Sequence, residues 1–198
     1  MNRGLLFLAL ALAIVLGGGL VYEVTKPPAF YGGVITPPAS MPDFTLQSVN
    51  GPVKLSDFQG KYVLLYFGYT SCPDLCPTTL GKLQQAVTRQ ADRAAQVQVI
   101  FVSVDYLRDT PAKLDVFVKN FDKEFIGITG SKAQIDLVTK EYGIYYRLNA
   151  PDPQTGFYSV DHSASVLIFN RRGEMVLTWP YGLEVYQMAS DLQELLKR

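Results

Sequence analysis

The chain has 198 residues and a mass of 22.0 kDa, which fits one medium-sized domain with a short appendage. Its 18 basic residues balance its 18 acidic ones, so the chain lacks the basic excess typical of nucleic-acid-binding proteins. Two cysteines are too few for a disulfide-stapled scaffold, and 16 glycines with 12 prolines are too few for a low-complexity chain.

The N-terminal segment is strongly apolar. Leu5–Tyr22 carries no charge and would reach about 27 Å as a helix, close to the hydrocarbon thickness of a bilayer. Arg3 precedes the run, and Glu23 is the first charge after it. This asymmetry predicts a single-pass anchor with its N-terminus in the cytoplasm and the remaining chain on the exported side. A cleaved signal peptide is the alternative, and it would export the domain as well.

A proline-rich segment follows the apolar run. Residues 23–42 contain two pairs of adjacent prolines, and such pairs favour stiff, extended chain. We therefore expect a spacer over 23–42, between the anchor (1–22) and an exported domain over 43–198.

Strand and helix patterns alternate within that domain. Buried strands are predicted at Tyr62–Gly68 and Val97–Val104. A short strand is predicted at Ile126–Thr129, and a hairpin of two strands at Ser165–Phe169 and Met175–Thr178. Helices are predicted at Pro77–Ala91, Pro111–Phe121, Ser131–Tyr142 and Leu183–Lys197. This order predicts an α/β sandwich with a mixed central sheet, although the pattern does not give the pairing order of the strands.

The two cysteines fall where the first buried strand meets the first helix. Cys72 and Cys76 are four residues apart, so on a helix they would share one face. A helix N-terminus favours thiolates, and we expect both sulfurs to be more reactive than free thiols. Two such sulfurs serve either as ligands for a soft metal or as a reversible disulfide.

A Cys72–Cys76 disulfide would be strained. Helical Cβ atoms at this spacing lie about 5–6 Å apart, whereas a relaxed bridge needs about 3.5–4.5 Å. The short loop between the cysteines closes little chain entropy, so a stabilising staple is the weaker interpretation. The spacing favours an easily reduced redox pair.

His162 is the single histidine of the chain and directly precedes a predicted strand. By position alone a lone histidine is more often a surface or core residue than a ligand. Combined with Cys72 and Cys76 it would suit Cu(I) in a trigonal site, or Cu(II) with an added oxygen ligand, whereas structural zinc needs a fourth ligand. Asp161 would point to the opposite strand face. Residues 149–156, rich in polar residues and proline, are expected to form an exposed loop.

These motifs resemble the Sco (SenC) copper-chaperone family. The resemblance rests on residues 67–80 (FGYTSCPDLCPTTL), 108–111 (RDTP) and 160–164 (VDHSA), with a thioredoxin-like lead-in over 42–61. It extends over 42–198 in order. One departure, Tyr106-Leu107 before the RDTP segment, lies outside the proposed ligands.

The resemblance implies a thioredoxin-like fold in which Cys72, Cys76 and His162 bind one copper ion and the cysteines form a disulfide when oxidised. It implies delivery of copper to the dinuclear centre of cytochrome c oxidase subunit II, with another exported copper chaperone as donor. The chain lacks an arginine-rich presequence, which favours a bacterial protein acting at the periplasmic face of the cytoplasmic membrane.

Two alternatives belong to other functional classes. A thiol–disulfide oxidoreductase would use Cys72 and Cys76 to reduce the target's cysteines without an obligatory metal, and it would not need His162. A peroxidase is the weaker alternative, because Thr70 lies two residues before Cys72 rather than three, and Tyr66 stands where a proline is expected.

Overall fold

The computed structural model describes Gly4, Leu12 and residues 30–197. Its strands are β1 Gly33–Ser40, β2 Thr45–Ser48, β3 Gly51–Lys54, β4 Tyr62–Gly68, β5 Val97–Ser103, β6 Ile126–Ile128, β7 Tyr146–Leu148, β8 Val160–His162, β9 Val166–Phe169 and β10 Glu174–Trp179. Its α-helices are α1 Leu75–Thr88, α2 Pro111–Lys119, α3 Lys132–Glu141 and α4 Val185–Leu195. Apart from Leu12, the predicted anchor Leu5–Tyr22 lies outside the described residues. Within the described part of the chain, no helix is long and apolar enough to cross a membrane.

Six strands form the central sheet in the order β1-β10-β9-β4-β5-β6. The β4, β5 and β6 strands are parallel, and β9, β10 and β1 add to the sheet in antiparallel pairs. All seven residues of β4 and of β5 are buried, which explains their continuous apolar runs. The predicted α/β fold with a mixed sheet is confirmed.

Helices cover both faces of this sheet. On one face α1 packs against α4, and the Tyr62 hydroxyl at the start of β4 donates to the Leu195 carbonyl, 2.6 Å away. On the other face the Phe67 ring packs against Tyr142, directly after α3, with ring centroids 6.4 Å apart. Tyr62 and Phe67 point to opposite faces because strand side chains alternate. The domain is therefore a three-layer sandwich.

The first helix differs from the predicted Pro77–Ala91. It begins at Leu75, because Pro77 falls in the first turn, where a missing N–H group is tolerated. It ends at Thr88, before Ala91, whose φ of 52° interrupts the helical backbone. The earlier start places Cys76 inside the helix. At α2, the predicted start is confirmed, with Thr110 as N-cap and Pro111 at the first position.

Part of the predicted spacer belongs to the sheet. Strand β1 pairs with β10 along the sheet edge, and a register shift between Val34 and Ala39 accommodates Pro37 and Pro38. The sheet therefore begins well before Asp43, where the domain was expected to start. Proline pairs do predict extended chain, but they do not reveal whether a sheet edge lies beside it.

Two small hairpins were not predicted: β2 with β3, and β7 with β8. Their strands have only three or four residues and are partly exposed, so they lack a clear apolar pattern. The second hairpin matters for the site, because His162 is the last residue of β8 and pairs with Tyr146 of β7.

Candidate metal centre

The two cysteines lie beyond the carboxyl end of β4, the edge where open α/β sheets place their ligands. Cys72 sits in a turn in which its N–H donates to the Tyr69 carbonyl, 3.3 Å away. Cys76 lies in the first turn of α1 and is fully buried. Cys72 keeps 9% of its surface exposed, so it is the more accessible sulfur.

The spacing predicted that the two cysteines share one helical face, but the structure shows that they do not. Asp74 is the N-cap of α1, and Cys72 precedes it in non-helical chain. Pro73 accounts for this, because a proline disfavours helical backbone in the residue before it. The turn nevertheless brings the sulfurs within 4.8 Å of each other. Both cysteines are unbridged in the structure, so the disulfide stays a prediction.

Gly68 permits the close approach of Cys76. A Cβ atom at this position would lie 2.6 Å from the Cys76 sulfur and 2.8 Å from the Phe101 ring. Any larger residue at the end of β4 would therefore displace the sulfur or the ring. The sequence shows this glycine only as the last residue of an apolar strand, without its neighbours.

His162 completes the group from the β7–β8 hairpin. Its Nε2 atom lies 3.7 Å from the Cys76 sulfur, and its Nδ1 atom lies 3.0 Å from the Ser163 carbonyl oxygen. Because a carbonyl only accepts, Nδ1 carries the proton, and the lone pair of the neutral ring is on Nε2. The backbone thus directs the metal-binding nitrogen toward the sulfurs.

Two tyrosines that the sequence analysis did not assign to the site enclose it. The Tyr66 hydroxyl donates to the Cys76 sulfur at 3.9 Å. The Tyr66 and Tyr69 rings meet His162 edge-on, with centroids 6.4 and 5.9 Å away. Tyr66 lies on the same side of β4 as Gly68, so strand alternation was the one signal that could have placed it there.

The two sulfurs differ in protonation. The Cys76 thiol donates to Cys72, and this hydrogen bond, helped by the N–H groups of Cys76 and Asp74, lowers the pKa of Cys72 to about 5 despite partial burial. The same hydrogen bond and deeper burial raise the pKa of Cys76 above its usual range. The two sulfurs are therefore not equivalent: the surroundings favour the thiolate at Cys72 and disfavour it at the buried Cys76.

A buried carboxylate fixes the turn that leads to Cys72. Asp109 accepts hydrogen bonds from the Thr70 N–H at 2.8 Å and the Ser103 hydroxyl at 2.6 Å, and it pairs with Lys113 at 2.9 Å. Burial raises its pKa, but the hydrogen bonds from Ser103, Thr70 and Lys113 outweigh burial and lower it. The cap of α2 is the neighbouring Thr110, which leaves Asp109 for the turn.

A second polar group connects the end of β5 with the chain before β8. The Arg108 guanidinium lies 3.5 Å from the centre of the Tyr158 ring and donates to the Tyr158 carbonyl at 2.8 Å. Arg108 also pairs with Asp105 at 2.5 Å, and Asp105 accepts from the Tyr158 hydroxyl at 2.7 Å. Tyr158 is thereby held two residues before the strand that carries His162.

Asp161 points away from the metal centre, as strand alternation predicted. Its carboxylate pairs with Arg147 at 2.8 Å and accepts from the Asn149 amide at 3.0 Å. These partners, Asn149 first, lower the pKa of Asp161. The segment 149–156 has no helix or strand and is mostly exposed, which confirms the predicted loop.

The group of Cys72, Cys76 and His162 fits a soft metal ion. Their ligand atoms lie within 4.8 Å of one another. Among residues 30–197, these three side chains form the one cluster of Cys, His, Asp or Glu residues that is close enough to hold a metal ion. Two sulfurs and one imidazole form the donor set that suits copper. The fold and this site define a metal-binding protein of the thioredoxin-like class.

Comparison with known proteins identifies the family. The SCO1/SenC family model matches residues 34–197, so the chain belongs to the SCO1/SenC family. The structure of apo Sco1 from Thermus thermophilus is 38% identical with a TM-score of 0.77, covering 84% of this chain and 97% of that one. The structure of Arabidopsis thaliana ScoI with copper bound is 30% identical with a TM-score of 0.74, covering 80% and 99%.

A curated relative, the SCO2-like protein of Rickettsia felis, is 37% identical over 134 residues. The match covers 67% of this chain and 65% of that protein's own length. The family and the thioredoxin-like fold expected from the sequence motifs are therefore confirmed.

Proposed function

We propose that this chain is an exported, membrane-tethered metallochaperone. It binds one copper ion through Cys72, Cys76 and His162 and assists assembly of the dinuclear copper centre of cytochrome c oxidase subunit II. The observation that carries the proposal is the geometry of His162, whose unprotonated Nε2 atom lies 3.7 Å from the Cys76 sulfur. A thiol reaction alone would not require this nitrogen.

Copper is favoured over zinc by the number and type of donors. Three ligand atoms complete a trigonal Cu(I) site, and Cu(II) needs only an added oxygen ligand, whereas a structural zinc site needs four protein ligands. Buried Tyr66 and Cys76 keep water from one side of the group. The copper-bound structure of Arabidopsis thaliana ScoI, a relative with 30% identity, supports the same metal here.

Metal binding by this site releases a proton. Cys72 is already a thiolate, but the Cys76 thiol must lose its proton before its sulfur coordinates the metal. The Ser163 carbonyl oxygen lies 3.0 Å from Nδ1 of His162 and orients the ring with Nε2 toward the sulfurs. Copper affinity should therefore rise with pH mainly through Cys76.

Delivery of the metal requires that a ligand of this chain be replaced by a ligand of the partner. His162 is the outer ligand, carried by a partly exposed two-stranded hairpin, so it is the ligand that an incoming donor replaces first. A tether to the cytoplasmic membrane, with the domain on the periplasmic side, would raise the concentration of the carrier beside a membrane-bound oxidase. A second exported copper chaperone would supply the metal.

Thiol–disulfide exchange is the second candidate, and the unequal pKa values of the cysteines favour it. The Cys72 thiolate would attack a target disulfide, forming a mixed disulfide and releasing one target thiolate. Cys76, after losing its proton, would attack the Cys72 sulfur and release the second target thiolate. The target is reduced by two electrons, and the chain is left with a Cys72–Cys76 disulfide.

A Cu(I) titration separates the two functions. The reduced full-length chain is titrated without oxygen against a competing chelator, in parallel with Cys72→Ser, His162→Ala and, as a matched neighbour, Asp161→Ala. Copper carriage predicts one tight equivalent that weakens in the first two variants and not in the third. Binding that needs the cysteines but ignores His162, or binding too weak to compete, would favour the exchange reaction.

A further inference from the structure

The chain enters the domain at a fixed point. The N–H groups of Tyr31 and Gly32 donate to the buried Asp191 carboxylate at 2.9 and 3.0 Å. The Trp179 indole N–H donates to the same carboxylate at 2.8 Å. Gly32 also lies against Trp179, because a Cβ atom there would be 2.6 Å from the indole ring. The point at which the chain enters the domain is therefore fixed by the core.

This entry point lies at the same end of the sheet as the metal centre. Tyr66 of β4 pairs with Val166 of β9, Val166 pairs with Trp179 of β10, and Gly32 lies against Trp179. The entry and Tyr66 are thus three strands apart along one row, about 14 Å at the usual strand spacing. Tyr66 in turn contacts the Cys76 sulfur.

The connection between the predicted anchor and this entry is short. Tyr22, the last residue of the apolar run, and Phe30 are eight residues apart, so the connection reaches about 28 Å when fully extended. A domain of this size has a radius of gyration of about 15 Å and a diameter of about 40 Å. The connection would have to run fully extended along the sheet to bring the opposite end to the membrane surface, whereas the entry end reaches that surface with slack.

The exposed aromatic side chains gather at the same end. Within residues 30–197 the aromatic residues that are exposed are Tyr31, Tyr145, Phe157, Tyr181 and Tyr186. Tyr145 contacts Ser163 beside His162, and Phe157 lies 5.7 Å from Arg108. Of the other three, Tyr31 lies at the chain entry, Tyr186 packs against Tyr31, and Tyr181 follows the end of β10.

Those three, Tyr31, Tyr181 and Tyr186, are here called the entry tyrosines. Tyr31 and Tyr186 pack edge-to-face with centroids 5.9 Å apart, and Tyr181 lies in the turn between β10 and α4. Each is more than half exposed. Tyrosine is enriched at membrane–water interfaces, where its ring and its hydroxyl find apolar and wet surroundings together.

We propose that the entry tyrosines dock on the interfacial layer of the membrane from which the chain emerges, so that the metal centre faces the bilayer. The proposal rests on the tether of the proposed function and adds an orientation to it. The occupant is the lipid surface because the short connection brings that surface to the entry tyrosines. The metal centre lies beside this contact, about 14 Å away across three strands, at the same membrane-facing end of the domain.

Trp179 allows a direct test, since it is the single tryptophan of the chain and lies at this end. The full-length chain is reconstituted in phosphatidylcholine vesicles containing a dansyl-headgroup lipid, and energy transfer from Trp179 to dansyl is measured. A second protein carries Trp179→Phe with Arg172→Trp, which moves the donor to the β9–β10 turn at the opposite end. We expect several-fold more efficient transfer from Trp179 than from position 172.

Variants of the entry tyrosines test the contact itself. Tyr31→Ser, Tyr181→Ser and Tyr186→Ser together should lower the transfer from Trp179, and phenylalanine at the three positions should restore it. The matched control, Val116→Ser with Leu137→Ser, removes two exposed apolar side chains from α2 and α3 and should leave the transfer unchanged.

Each outcome decides between the proposals. Equal transfer from both donor positions, or transfer that the serine variants do not change, would overturn the docking while leaving the tether intact. Serine variants that keep full transfer but lose binding to oxidase subunit II in detergent would assign the entry tyrosines to a protein partner instead. A full-length chain that does not sediment with the vesicles would overturn the tether and, with it, the docking. The Cu(I) titration is independent of all three outcomes.

Discussion

The metal centre joins two regions of different construction. The cysteine region, from Gly68 to Cys76, connects a fully buried central strand to a core helix, and Asp109 holds its turn with hydrogen bonds. The histidine region is a hairpin of two three-residue strands outside the main sheet, and His162 at its end is partly exposed. The core therefore fixes two ligands, while the third is carried by the periphery.

This difference would suit the proposed carrier, which must bind a metal tightly and still release it. Ligands fixed by packing keep their geometry with and without the ion, because core side chains are close-packed. A ligand on a small hairpin depends on fewer contacts, in this case the Arg108–Tyr158 pair and the Ser163 carbonyl. We expect substitutions in the cysteine region to affect both folding and binding, and substitutions in the histidine region to affect binding alone.

The largest effect is expected from Cys76→Ser. This change replaces the fully buried sulfur with a hydroxyl, a poor ligand for Cu(I). Affinity for Cu(I) should fall by more than about 100-fold, beyond the range for residues that only support a ligand. Chelator competition measures it, and a loss below tenfold would mean that Cys76 is not a ligand.

Gly68→Ala should damage the same region through packing. The added methyl group would meet the Cys76 sulfur at 2.6 Å and the Phe101 ring at 2.8 Å. Overpacking of this kind costs about 1–3 kcal/mol of unfolding free energy, and copper affinity should fall with it.

The matched control for this change is Gly81→Ala on α1, where nothing lies within 4 Å of the new methyl group. It should raise stability by about 0.5–1 kcal/mol, because alanine favours helix over glycine. Urea unfolding of both variants measures the difference in their unfolding free energies. Equal values for Gly68→Ala and Gly81→Ala would show that the core around Gly68 rearranges to accept the methyl group.

The pH dependence of alkylation should distinguish the two sulfurs. The pKa of Cys72 is lowered to about 5, so its thiolate persists as pH falls and its alkylation by iodoacetamide should slow only below that value. Alkylation of an ordinary cysteine thiol would already slow below a pH of about 8.5. Cys76, with its raised pKa and full burial, should react far more slowly across this range. Mass spectrometry of the quenched reactions gives both rates, and a Cys72 midpoint near 8.5 would contradict the assignment.

The smallest effect is expected from Asp161→Asn. Although Asp161 is the neighbour of a ligand, its carboxylate pairs with exposed Arg147 on the far face of β8. Copper affinity should stay within about twofold of the parent, since exposed ion pairs contribute little. A tenfold loss in the same titration would mean that the His162 hairpin is held in place by this pair.

The sequence predicted the parts of this molecule that carry a periodic or chemical signal. The runs of β4 and β5, the cap at Thr110 and the spacing of Cys72 and Cys76 have such a signal, whereas His162 was singled out by its family motif. The pairing of β1 with β10 has none, because partly exposed edge residues look like a linker. The protonation difference between Cys72 and Cys76 also could not be read from spacing, since it depends on which sulfur is buried and which receives the hydrogen bond.

Strand β1 has a further consequence for a protein confined to a surface. It forms one edge of the central sheet, and an open edge is a template on which a second copy could add strands. Pro37 and Pro38 remove two backbone donors from this edge, and the register shift beside them bends it. If the chain is tethered as proposed, neighbouring copies on one membrane would thus meet at an edge that resists the addition of strands into a shared sheet.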